Sequence, residues 1–155
     1  GLVIDDPAHA LLIDERAIRA LIEQSITPPN QAGVHVIKLG DVGFELQPNV
    51  QYRWYISIIK DKESPSRDIV TGGIIERCEF NECLVLDATT TCSREAVMAS
   101  AAKGFWYDAM ACLCDLIDSN PADTGLRKQR AALLKQVGLH EVAEWDLARS
   151  QAFSR

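Results

Sequence analysis

The sequence lacks two features that would point to a membrane or a nucleic acid. None of its apolar runs approaches the ~20 residues that a membrane-spanning helix needs. Basic residues are in the minority, because 16 Lys and Arg stand against 22 Asp and Glu, for a formal net charge of −6. Proteins that bind DNA or RNA use basic side chains to neutralise phosphates. The sequence therefore predicts neither a membrane span nor a nucleic-acid partner.

Local catalytic motifs are missing as well. The 155 residues contain no G-x-S-x-G nucleophile elbow, no H-E-x-x-H zinc motif and no phosphate-binding glycine loop. There are three histidines, of which His35 falls in an apolar segment and His140 follows a helix stop. We interpret His35 as a structural strand residue and His140 as a capping or surface residue. We expect a non-catalytic protein, with no catalytic residues, no bound metal and no cofactor.

The five cysteines are an odd number and fall into two groups. Cys112 and Cys114 lie two apart on a predicted helix, so their side chains diverge by about 200° and at least one belongs to the core. The other group, in a connecting segment, is Cys78, Cys83 and Cys92. Two of these three could form a disulfide in an exported protein, and the alternative is buried or free thiols. Zinc is disfavoured because no histidine lies nearby.

The acidic excess is confined to the first 90 residues. Residues 1–90 contain 8 basic and 14 acidic residues, whereas residues 91–155 contain 8 of each. The apolar pattern changes at the same place, from short alternating segments to helical periodicity. We therefore predict a β-rich region over residues 1–90 and a helical region over residues 91–155, sharing one core.

The clearest strand signal lies in residues 51–59. Its two alternating faces are Tyr52, Trp54, Ile56 and Ile58 on one side, and Arg53, Tyr55 and Ser57 on the other. Pro48 and Asn49 precede it as a turn. A Leu, Pro-Asn and then Tyr at a strand entry is also the sequence form of a tyrosine corner, and this interpretation stays open beside a plain strand start.

Further strands are predicted over residues 33–39 and 69–77, the latter after a charged hairpin loop at residues 60–68. Gly72 and Gly73 in the last strand indicate a bulge or the close approach of another backbone. Residues 10–26 fit either one helix or two strands, and we favour two strands because the segments that follow are strands.

Helical periodicity begins after Ser93, the predicted N-cap of the first of four helices. An internal comparison finds a 34-residue period, in the pairs Gly104 and Gly138, Ala109 and Ala143, and Leu113 and Leu147. Thirty-four residues is the tetratricopeptide period. The helical region is therefore predicted to be a short tetratricopeptide-like array. A basic face on its third helix is interpreted as solvated, and it comprises Arg127, Lys128, Arg130 and Lys135.

Five segments, taken in order, resemble a bacterial family known as domain of unknown function 928. They are residues 52–58, 73–77, 104–109, 120–121 and 133–139, with the sequences YRWYISI, GIIER, GFWYDA, NP and LLKQVGL. The resemblance covers roughly residues 33–145. It implies a β-rich half followed by a helical half in a mostly exported family, hence an exported or periplasmic location, with no assigned activity. Before residue 33 the family has more strand sequence than this chain, so a sandwich built here would be short of strands.

These observations predict an α+β fold in which an N-terminal antiparallel β-sandwich-like half, immunoglobulin-like or an incomplete version of that fold, packs on the helical array. Trp54, Trp106 and Tyr107 could form an aromatic ligand platform, but we favour a core role for Trp106, because an aromatic residue at a repeat turn is ordinarily buried. The leading hypothesis is a non-catalytic interaction module with a protein partner. The alternative is a small-molecule or carbohydrate-binding module that uses Tyr55 on the exposed sheet face.

Overall fold

A computed structural model of the chain describes residues 8–14, 20–26, 34–59, 63, 68–79 and 91–152. It confirms the predicted α+β class, with an antiparallel sheet towards the N-terminus and four helices towards the C-terminus. The chain divides into two compact units. Residues 1–32 and 37–82 make up the first, the sheet unit, and residues 33–36 and 83–155 make up the second, the helical unit.

The sheet unit contains one described sheet of four antiparallel strands. The strands are β1 (Ala8–Asp14), β2 (Ala20–Ile26), β3 (Gln51–Ile58) and β4 (Ile69–Glu76), in the spatial order β2-β1-β3-β4. The preference for two strands over one helix in residues 10–26 is therefore confirmed. The register of the β1–β2 pair shifts by one residue between Leu12 and Ile13.

The alternation predicted for β3 determines which sheet face is buried. Tyr52 is buried, and on β1 the residues opposite Trp54 and Ile58 are Leu12 and Ala8, which are buried as well. The other face is more open, since Arg53 on β3 and its partner Ile74 on β4 are both exposed. One face of the sheet is therefore buried and the other faces solvent, as the period-two pattern predicts.

A tyrosine corner is present at the start of β3. The phenol oxygen of Tyr52 accepts a hydrogen bond from the backbone N–H of Gln47 at 3.1 Å, and the Phe44 ring meets the Tyr52 ring edge-on. Asn49 has a φ of 60°, the left-handed conformation that asparagine tolerates, and its N–H bonds to the Arg77 carbonyl at 2.7 Å. These bonds fix the strand entry against the end of β4.

The prediction of a strand over residues 33–39 is wrong for residues 34–39, the part of that range that the structure describes. Residues 34–38 have no regular structure, and a 3₁₀ helix follows at Leu39–Val42. Val34 packs against the helical core, whereas Val36 and Ile37 are exposed. The segment crosses the boundary between the two units in the sequence, and its apolar residues join none of the described strands. His35, expected in a strand, is instead exposed in this segment.

The described part of the helical unit contains four consecutive helices, each packed against the next. They are α1 (Arg94–Ala102), α2 (Trp106–Ser119), α3 (Thr124–Gln136) and α4 (His140–Ala152). Ser93 caps α1 as predicted, by accepting a hydrogen bond from the Ala96 N–H at 3.1 Å. Asp123 caps α3 in the same way, through the N–H groups of Gly125 and Leu126. Ala109, Leu113 and Ala143 are completely buried in the core. No helix in the described ranges is long and apolar enough to cross a bilayer.

The first and third helices end in turns of the same geometry, separated by one full sequence period. Gly104 and Gly138 occupy them with φ values of 83° and 79°, a conformation that favours glycine. The Phe105 N–H donates to the Ser100 carbonyl at 2.9 Å, and the corresponding bond after α3 runs from the Leu139 N–H to the Leu134 carbonyl at 3.0 Å. A second pair of corresponding bonds, both at 3.1 Å, runs from the Gly104 N–H to the Ala101 carbonyl and from the Gly138 N–H to the Lys135 carbonyl. The sequence period is thus a period of backbone structure as well.

Candidate functional site

The cysteines of the connecting segment fall partly within the described residues. Cys78 is disulfide-bonded. Cys83 lies outside the described residues. Cys92 is a free thiol, as are the two helical cysteines, Cys112 and Cys114. The structure thus holds both a disulfide and three free thiols.

The two sheet aromatics named from sequence, Trp54 and Tyr55, lie against adjacent glycines of β4. A Cβ built on Gly73 would come within 2.9 Å of the Trp54 ring, and one on Gly72 within 2.8 Å of the Tyr55 ring. The β3–β4 register is continuous through both glycines, so the predicted bulge is absent there. The glycines instead leave room for the rings and for the backbone oxygen of Trp54, which a Cβ on Gly72 would approach to 2.6 Å.

Gly72→Ala is accordingly expected to destabilise the protein. The backbone oxygen of Trp54 belongs to a paired strand and cannot move aside freely, so we expect a loss of about 1–3 kcal/mol in the free energy of unfolding. Denaturant unfolding of the full chain measures it. Gly40→Ala is the matched control, because a Cβ there meets nothing within 4 Å. Equal stability of the two variants would contradict the close packing at Gly72.

Among the described strand residues, Tyr55 is the one Phe, Tyr or Trp on the exposed face of the sheet, and its side chain is half-buried. Its described neighbours along β3 on that face are Arg53 and Ser57. A carbohydrate platform usually needs more than one outward ring, and among the described strand residues a second is not found on this face.

Trp106 and Tyr107, the aromatic pair at the start of α2, have different environments. Trp106 is half-buried, packs against the helical core and donates its indole N–H to the Leu133 carbonyl of α3 at 3.1 Å. Tyr107 meets the Trp106 ring edge-on, with ring centroids 5.3 Å apart, and is 40% exposed. Trp106 therefore joins two helices, while Tyr107 presents part of its ring to the surface.

Three large apolar side chains are exposed at one end of the helical unit. Turns of three or four residues join consecutive helices that pack on each other. Helices joined in this way run antiparallel, so the turn after α1 and the turn after α3 lie at the same end. Tyr107 begins α2 at that end, and Val137 and Leu139, which are 50% and 46% exposed, lie in the turn after α3. We call Tyr107, Val137 and Leu139 the turn-end patch. Exposed apolar groups of this kind, with an aromatic residue among them, are typical of protein-contact surfaces.

Sequence reasoning missed a buried charged cluster between α3 and α4. Arg130 donates two hydrogen bonds to the carboxylate of Asp146, from Nε at 2.6 Å and from Nη2 at 2.7 Å, and Asp146 is completely buried. Arg127 approaches the same carboxylate at 3.5 Å. Arg130 also donates to the Cys114 sulfur at 3.4 Å. The prediction of a solvated basic face on α3 is therefore wrong for Arg127 and Arg130, because both side chains are buried around one carboxylate.

The electrostatics of this cluster keep the Arg130 guanidinium charged. Burial opposes the charge of Arg130, but its bonds to Asp146 and Cys114 outweigh burial and raise the pKa of the guanidinium. Burial also raises the pKa of the Cys114 thiol, and the bond from Arg130 partly offsets that rise. A sequence signal for the cluster did exist, because Arg130 occupies the apolar stripe of α3 between Leu126 and Leu133. Within the described part of the chain, no three His, Cys, Asp or Glu side chains gather as a possible metal site.

Comparison with known protein families gives a match that covers most of the chain. The model of a family described as Domain of Unknown Function (DUF928) matches residues 6–147. The match begins well before residue 33, so it includes β1 and β2, which the sequence resemblance had left out. No curated protein matches the chain significantly.

Proposed function

Because the chain belongs to the family described as Domain of Unknown Function (DUF928), its function has to be argued from its own residues, and we propose that it is a non-catalytic module acting through protein–protein contacts. The observation that carries the proposal is the turn-end patch on a helical unit built from repeated hairpins. The partner we propose is a protein with a complementary apolar surface.

The helical unit is proposed to be a tetratricopeptide-like array. The ends of α1 and α3 are separated by one sequence period, as are the starts of α2 and α4, and the two turns share their hydrogen bonds. In arrays of this kind the helix pairs form a regular scaffold, and variable surface residues bind partners. The two hairpins therefore supply a scaffold that fixes the position of the patch.

Charge supports the same location for the contact. The acidic excess lies in residues 1–90, and the helical region is neutral overall. An apolar contact is least opposed by charge repulsion on the neutral region. Val137 and Leu139 lie one sequence period after Lys103 and Phe105. The turn after α3 therefore has an exposed valine where the turn after α1 has a lysine, and its Leu139 is more exposed than Phe105.

We extend the proposal to location and to the sheet unit. An exported or periplasmic bacterial protein agrees with the disulfide at Cys78, since disulfides persist in oxidising compartments. The tyrosine corner at Tyr52 is typical of the edges of β-sandwiches, and it supports a sandwich-like arrangement for the sheet unit.

Affinity capture with a charged substitution in the patch tests the proposed contact. The full chain is used to capture proteins from native extract, and a captured partner is then titrated against purified variants. Leu139→Lys places a charge in an apolar contact, so we expect affinity to fall by about tenfold or more.

Met98→Lys is the matched control, because Met98 is 65% exposed on α1, outside the patch. Circular dichroism establishes that both variants fold. Equal affinity of wild type and Leu139→Lys would overturn the patch as the contact, and substrate turnover by the purified protein would overturn the non-catalytic assignment.

A further inference from the structure

Two free thiols lie close to Ser93, the N-cap of α1. Cys112 lies on α2 with 1% of its surface exposed, and its thiol points to the Ser93 carbonyl, with the sulfur 4.0 Å from that oxygen. Cys92, the residue before Ser93, is half-buried and packs against the core cluster that contains Cys112. The carbonyl that the Cys112 thiol reaches belongs to the residue next to Cys92, and Cys92 is near enough to raise the pKa of the Cys112 thiol. Cys114, two residues further along α2, contacts Arg130 instead.

We propose that Cys92 and Cys112 form a disulfide when the protein meets a disulfide-bearing oxidant. The Cys92 thiolate attacks the oxidant disulfide, forms a mixed disulfide and releases one thiol of the oxidant. Cys112, losing its proton, then attacks the Cys92 sulfur and releases the second thiol. The two cysteines lose two electrons and two protons, and the oxidant gains them as two thiols.

Exposure determines which cysteine reacts first. Burial, followed by the neighbouring Cys92, raises the pKa of Cys112 to about 12, so little of it is a nucleophilic thiolate at neutral pH. Cys92 is half-buried and reachable from solvent, so it is the attacking thiol. Cys112 then resolves the mixed disulfide from inside the core, against which Cys92 packs.

The bond would fasten the segment before α1 to the middle of α2. It closes a loop of about 20 residues, from which the entropy model of disulfides gives a substantial gain in stability. For a chain of this size we expect the unfolding temperature of the oxidised protein to rise by about 5–10 °C. This site is independent of the turn-end patch and goes beyond the proposed protein contact.

To test the proposal, the folded full chain is treated with oxidised glutathione, and the remaining thiols are then blocked under denaturant. Tryptic peptides are mapped without reduction, so that disulfide-linked peptides stay together. Trypsin leaves residues 78–94 as one peptide and residues 104–127 as another. We expect these two peptides to become linked and the thiol count to fall by two. Cys114→Ser should keep the link, whereas Cys92→Ser and Cys112→Ser should each abolish it.

Three results would overturn the proposal. One is unlinked peptides in the oxidised wild type, one is a link that persists in Cys92→Ser, and one is a link lost in Cys114→Ser but kept in Cys112→Ser. The wild-type unfolding temperature before and after oxidation is a readout that needs no variant, so a poorly folded Cys112→Ser protein does not decide the outcome. An unchanged unfolding temperature in a linked protein would contradict the stabilising role.

Discussion

Replacing Asp146 with alanine is expected to lower the free energy of unfolding by about 3–5 kcal/mol. Asp146 is completely buried and accepts two short hydrogen bonds from Arg130, with Arg127 approaching the same carboxylate. Without the carboxylate, two buried guanidinium groups lose the anion that offsets their charge. Breaking a buried ion pair from one side is costly for this reason, whatever the pair itself contributes.

Denaturant unfolding of the full chain, followed by the helical circular dichroism signal, measures this loss. Glu144→Ala on the same helix is the control, because Glu144 is exposed and its loss should change stability by less than about 0.5 kcal/mol. Asp146→Asn keeps the shape but turns an amide N–H₂ towards the guanidinium donors, so it should be nearly as damaging as alanine. An Asp146→Ala protein within about 1 kcal/mol of wild type would show that the cluster is not held as described.

Trp106→Ala is expected to cost about 3–5 kcal/mol, the second large effect. The side chain packs against the helical core, and its indole N–H reaches the last turn of α3 through the Leu133 carbonyl. Alanine would leave a cavity and remove that bond. Trp106→Phe should recover part of the loss, since it keeps one aromatic ring but loses the second ring of the indole and the hydrogen bond, the bond being worth about 1 kcal/mol.

Met98→Ala serves as the control for Trp106, because Met98 is 65% exposed and its truncation should change stability by less than about 0.5 kcal/mol. The same unfolding experiment compares the three variants. If Trp106→Ala matched Met98→Ala in stability, Trp106 would be a surface aromatic and the ligand-platform interpretation would regain support.

Local patterns were enough to predict much of the fold. The alternation in β3, the turn residues Pro48 and Asn49 and the N-cap Ser93 each depend on a few neighbouring residues, and the structure has all three. Gly104 and Gly138 mark turns because their backbones have a positive φ, a conformation that favours glycine over other residues. Such features follow from sterics and hydrogen bonding within one or two turns of chain.

Features that depend on distant partners were not predictable in the same way. Residues 34–38 have strand-like composition, but they join none of the strands that the structure describes. Arg130 and Asp146 meet only because α3 and α4 pack together, and helical charges alone are usually solvated. The neighbouring thiols of Cys92 and Cys112 likewise depend on how α1 packs on α2. The turn-end patch needed the antiparallel helix order before its three residues could be placed at the same end of the helical unit.

Site-specific photocrosslinking tests the proposed protein contact most directly. A photoreactive residue is placed at position 139 in the turn-end patch or at position 132, where Ala132 is exposed on α3 outside the patch. Each full-length protein is irradiated in native extract, and the crosslinked products are identified by mass spectrometry. We expect one partner protein to be crosslinked from position 139 and not from position 132. Equal crosslinking from both positions, or none from position 139, would contradict a protein contact at the turn-end patch.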